Sequence, residues 1–136
     1  MLSKDYIETL DANIIIRIIA QDNPGHFKRA LKLIQRRDTL FILHELTIAE
    51  VVYVLSSDKI YDYPRDEIRN SILKILRFEN ISCNIGLIED ALNLYVEHPA
   101  LSYTDCFLAA FTAANQSEPL WTFDQSLARL PIAKAP

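Results

Sequence analysis

Four carboxylates sit where a folded chain could put them to chemical use: Asp11, Glu50, Asp105 and Asp124. Asp11 ends a short strand pattern, Tyr6 to Leu10, and Asp124 ends another, Leu120-Trp121-Thr122-Phe123. Glu50 and Asp105 fall in the first turns of helical patterns. Each acid also has a plain local explanation. Thr47-x-x-Glu50 and Ser102-x-x-Asp105 both have the form of a capping box, a hydroxyl at the N-cap with an acid three residues on. Asp11 and Asp124 could each cap the helix that follows. The set as a whole asks for more. If the strands run parallel, all four carboxylates can gather at one edge of the sheet, close to helix N-termini that favour ionised acids. Mutual repulsion then invites a cation. Oxygen ligands without His or Cys select Mg²⁺ or Mn²⁺ over zinc. Two such ions would bring the formal net charge of −4 to 0.

The elements that must position these acids follow from periodicity. Ile14 to Ala20 is ambiguous, because its β-branched residues favour strand while Asn13 as an N-cap favours helix. His26 to Arg37 carries Phe27, Ala30, Leu31 and Ile34 at helical spacing. Leu40 to Leu43 reads as a strand, and Thr47 to Leu55 as a helix. Pro64 opens a helix with Ile68, Ile72, Ile75 and Leu76 on one face. Ile81 to Ile85 reads as a strand, and Ile88 to Val96 as a helix ended by Pro99. Ser102 to Ala114 is an Ala-rich helix, a short helix begins at Asp124, and the tail near Ile132 adds an edge strand. Short apolar strands alternating with amphipathic helices predict an α/β three-layer sandwich, a mostly parallel central sheet flanked by helices. In such a sheet the ligand site forms beyond the C-terminal ends of the strands.

Composition narrows the function. The 136 residues, half of them apolar, are expected to form one domain over 1–136. Two distant glycines, Gly25 and Gly86, exclude the Gly-rich loops that cradle nucleotide phosphates. A net charge of −4 means that nucleic acid must be held at a local site and not by bulk charge. Cys83 and Cys106 form no CxxC pair and are expected in the core of a reduced, cytoplasmic protein. His26, His44 and His98 have no evident partner for zinc binding or catalysis. The acid-bearing opening MLSKDYIETLD does not fit an export signal, and the longest apolar run contains Arg17 and is far too short to span a bilayer.

The stretches LDANIII, ELTIAEVVYVL, LSYTDCFLAA and LWTFDQSLARL, in this order over nearly the whole chain, resemble the four acidic motifs of the PIN-domain ribonucleases. The closest resemblance is to the VapC-type toxins of toxin–antitoxin pairs. It implies a helix over Ile14 to Ala20, against the β-branched composition. It implies metal ligation by Asp11, Glu50 and Asp105, with Asp124 acting directly or through water, and one or two Mg²⁺ or Mn²⁺ ions per site. Asn13 and Thr122 match supporting positions that orient ligands or water. The implied reaction is metal-dependent endonucleolytic cleavage of RNA, leaving a 5′-phosphate and a 3′-hydroxyl. A bound divalent ion makes water more acidic and stabilises charge on the phosphate. Asp11 and Asp105 are expected to dominate metal binding, with Glu50 and Asp124 orienting the water.

Candidates for holding RNA are Lys28, Lys32 and Arg36, one stripe at i, i+4 and i+8, which could equally be a solvated face. Arg17, inside an apolar run, needs an acid or an RNA phosphate as partner. Tyr103 and Trp121 suit core or interface packing better than base stacking. The resemblance further implies a small cognate antitoxin and a homodimer, and the apolar helix from Asp66 to Arg77 with the segment Val51 to Tyr63 could offer a partner helix a groove. The alternative is a non-catalytic PIN-like binding module whose acids are only caps. A haloacid-dehalogenase reading fails because Asp11-Ala12-Asn13 lacks the second acid of its DxD, and a response-regulator receiver would need adjacent acids that are missing here.

Overall fold

The computed structural model describes residues 5–136; the opening residues, whose reading as no export signal rests partly on sequence alone, lie outside the described part. The chain divides into two compact units, one running up to Asn84 and the other from Ile85 to Pro136.

In the first unit, strands β1 (Tyr6–Thr9), β2 (Thr39–Ile42) and β3 (Ile81–Ser82) form a parallel sheet in that order. Helices α1 (Ala12–Ala20), α2 (Pro24–Ile34), α3 (Glu45–Ser56) and α4 (Arg65–Leu76) supply the crossovers that parallel pairing requires. The central strand β2 buries Thr39 and Phe41. Ile15, Ile34, Ile48, Leu55, Ile68 and Ile72 fill the core from the helices. Asn80 is a buried polar residue with its bonds satisfied: its amide donates to the carbonyls of Ile34 and Arg36, at the open end of α2.

The second unit packs α5 (Ile85–Glu97) on α6 (Tyr103–Ala114) and adds a parallel pair, β4 (Leu120–Trp121) with β5 (Ala133–Lys134). Ser102 caps α6 as expected: its hydroxyl accepts from the Asp105 N–H at 3.1 Å, and Asp105 returns a bond from the Ser102 N–H at 3.3 Å. Ser102→Ala is expected to cost about 0.5–2 kcal/mol, read as a lower urea midpoint with an unchanged slope.

Parallel strands together with six α-helices among the described residues give the α/β class expected from the sequence. Several boundaries differ. The run Ile14 to Ala20 is helical, as the resemblance implied, because Ala12, Ile15, Ile16 and Ile18 are buried and burial outweighs weak β-branched propensity. Asp11, and not Asn13, stands at its N-cap. α3 begins two residues before Thr47, capped by His44, whose Nδ1 accepts from the Leu46 N–H at 3.0 Å. Glu50 therefore lies in the second turn, and Thr47-x-x-Glu50 is not a capping box. The strand expected over Ile81 to Ile85 ends at Ser82, because α5 claims Ile85. The segment after Asp124 is a single 3₁₀ turn, Leu127–Arg129.

Candidate active site

Parallel register decides which residues share an edge. Thr9 pairs with Ile42, and Ile42 with Ser82. Asp11, His44 and Asn84 thus each follow the last common rung by two residues, at the C-terminal edge of the first unit's sheet. This is the edge at which α/β sheets build their sites. Asp11 is exposed, has extended backbone angles and makes no side-chain cap bond, so capping does not account for it. Its carbonyl, by contrast, accepts from the Ile14 N–H and starts α1. α3 packs against α1 and carries Glu50 on an exposed face between Leu46 and Tyr53, at i, i+4 and i+7.

His44 and Glu45 were not among the sequence candidates, although the strand-end rule that singles out Asp11 reaches them too. The His44 Nε2 stands 3.9 Å from the Glu45 carboxylate. Burial, and then the Glu45 charge, push the Cys83 thiol above its usual range, which keeps it protonated and unreactive.

In the second unit Asp105 is half-buried, with one carboxylate oxygen engaged in its capping box. Asp124 is exposed, and its Oδ1 accepts from the Leu127 N–H at 2.9 Å, the cap expected of it. The Thr122 hydroxyl accepts from the Asp124 N–H at 2.9 Å, so Thr122 fixes the backbone that carries this acid. Tyr103 is buried edge-on against Tyr95, with ring centroids 6.0 Å apart, while Trp121 is 59% exposed. Cys106 is buried as expected, and Cys83 only partly so.

The cationic candidates separate. Arg17 is half-buried and pairs with Asp22 at 3.3 Å, so its partner is an acid. Arg36 is held by Glu8 and Asp38, both at 3.4 Å. Lys28 and Lys32 are exposed along α2. Asp22 also accepts from the Tyr61 hydroxyl at 2.7 Å, which ties the turn before α2 to the loop after α3. That hydroxyl first, and Arg17 after it, hold the Asp22 carboxyl below the ordinary 3.8. A depressed folded pKa contributes stability that is present above the unfolded value and lost as pH falls through the folded one. Tyr61→Phe should therefore lower the urea midpoint at neutral pH, and the difference from wild type should shrink below about pH 4.

Among the described residues, no three His, Cys, Asp or Glu side chains are grouped so as to hold a metal ion. What fits a metal is donor chemistry alone: Asp11, Glu50, Asp105 and Asp124 carry carboxylate oxygens, the donor type a hard divalent cation takes. No described helix is long and apolar enough to cross a membrane.

Nuclease-type domains are among the α/β folds that carry an acid just past the first parallel strand. The model of the PIN domain matches residues 9–133, and the chain belongs to that family. PIN domains are in general metal-dependent nucleases that bind RNA. No curated protein matches the chain.

Proposed function

We propose that this chain is a single-domain, metal-dependent endoribonuclease, the toxin of a toxin–antitoxin pair, acting in the cytoplasm on RNA phosphodiester bonds and leaving 5′-phosphate ends. The observation that carries the reading is the family match over residues 9–133, joined to an Asp11 carboxylate at the sheet's C-terminal edge that no cap bond occupies. In this reading Asp11 and Asp105 hold Mg²⁺ or Mn²⁺, and Glu50 and Asp124 orient the attacking water. Asn13, in the first turn of α1, supports Asp11, and Thr122 supports Asp124 through its bond to that residue's N–H. A bound ion would make water a better nucleophile and offset charge on the phosphate. Lys28, Lys32 and Arg36 add a cationic face along α2, and Arg17 a further cation on α1. A small antitoxin and a second copy of the chain complete the assembly.

The second reading, a PIN-like binding module without catalysis, is favoured by one observation: no three acids are grouped for a metal among the described residues. Thermal melting separates the two. The nuclease reading expects Mn²⁺ at a hundred times its Kd to stabilise the fold by about 2.7 kcal/mol, raising Tm, and expects EDTA to reverse the shift. A melting curve indifferent to Mn²⁺ and Mg²⁺ favours the binding module.

A further inference from the structure

A cleft of about 450 Å³ runs between α1 and α2. Ile14 and Leu33 give it apolar lining; Asn13, Arg17, His26 and Arg29 give it polar lining. The contributing positions are one face of each helix, residues 13, 14 and 17 on α1 and residues 26, 29 and 33 on α2. No carboxylate lines it, and the Lys28–Lys32–Arg36 stripe lies off it. Arg17 has given one nitrogen to Asp22, but a guanidinium carries five N–H donors. Arg29 makes no ion pair among the described residues. Asn13 lies two residues beyond Asp11, and Arg17 one helical turn further, about 6 Å along the axis. The cleft therefore starts at the turn that bears the candidate catalytic acid.

We propose that this cleft seats the backbone of single-stranded RNA beside the point of cleavage, with Arg29 and Arg17 gripping phosphodiester groups. The proposal rests on the nuclease reading and adds to it the place where substrate is held. A chain of net charge −4 repels RNA as a whole, so grip must come from a concave cationic site. Guanidinium forks match phosphate oxygens in pairs. Ile14 and Leu33 offer sugars and unstacked bases an apolar surface, which a single strand exposes and a duplex does not.

The test is fluorescence anisotropy of a labelled single-stranded oligoribonucleotide in EDTA, where cleavage is stopped, across a range of salt. Arg29→Ala, at an exposed position, is expected to weaken binding about five- to tenfold and to flatten the salt slope by about 0.7. His26→Ala/Arg29→Ala should weaken it further, and Lys28→Ala/Lys32→Ala less than Arg29→Ala alone. DNA of the same sequence should lose affinity on Arg29→Ala by the same factor, since the grip is on phosphodiester. Three results would overturn the proposal: an unchanged affinity and slope for Arg29→Ala with an unchanged melting curve, competition by poly-glutamate as strong as by RNA, or duplex RNA bound as tightly as the single strand. Cleavage by Asp11→Asn, assayed in parallel with Mn²⁺, keeps the two ideas apart. If Arg29→Ala binds normally while Asp11→Asn is dead, the cleft assignment falls and the nuclease reading stands. If Asp11→Asn cleaves as wild type does, the nuclease reading falls, and the anisotropy series still decides the cleft.

Discussion

Asp11→Asn is expected to lower RNA cleavage at saturating Mn²⁺ by roughly a thousandfold while leaving the fold intact. The size follows from charge. An amide is nearly isosteric with a carboxylate but is a neutral and much poorer ligand for a hard cation. The intact fold follows from local bonding. The Asp11 side chain makes no cap bond, and the carbonyl that starts α1 is unaffected by the change. Stability should therefore move by no more than about 0.5 kcal/mol. Asp105→Asn is expected to lose activity to a similar degree, because asparagine can still accept the Ser102 N–H and keep the capping box. Sequencing of 5′-phosphate RNA ends after controlled expression of wild type and each variant reads the effect directly. Ends that persist in both variants would remove these acids from the chemistry.

The largest effect on stability is expected from Phe41→Ala. Phe41 is 1% exposed in the middle strand of the first unit, level with Glu8 on one side and Ile81 on the other. Its backbone is bonded as well, its N–H donating to the Asn80 carbonyl at 2.8 Å. Truncation leaves a cavity that flanking strands cannot close without breaking their ladder. The cost is about 3–5 kcal/mol, enough to lower Tm by roughly 10–20 °C. Because β2 sets the register that places Asp11 and His44 at one edge, activity should fall with the folded fraction. A urea melt of Phe41→Leu gives the control. It retains most of the volume and should lose much less, about 1.5 kcal/mol or under.

Much of this protein is legible without coordinates, and the legible parts share one property: they are local. Ser102 and Asp105 form their capping box because a hydroxyl and an acid three residues apart meet at a helix start whatever lies around them. Asp124 caps the turn after β4 for the same reason, through a bond that spans three residues. The alternation of short apolar strands with amphipathic helices is enough for the α/β class, because parallel strands require crossovers.

What tertiary structure decided is non-local. Ile14 to Ala20 becomes a helix because its neighbours bury one face of it, which no propensity expresses. α3 starts at Glu45 because His44, a residue uncommon at an N-cap, stands where β2 releases the chain. Asp22 finds Tyr61, 39 residues further along. Arg29, rather than Lys28 or Lys32, lines the cleft because burying Ala30 and Ile34 fixes the rotation of α2. A spacing of three or four residues is set by the helix itself, whereas partners tens of residues apart are chosen by which apolar faces must leave water together.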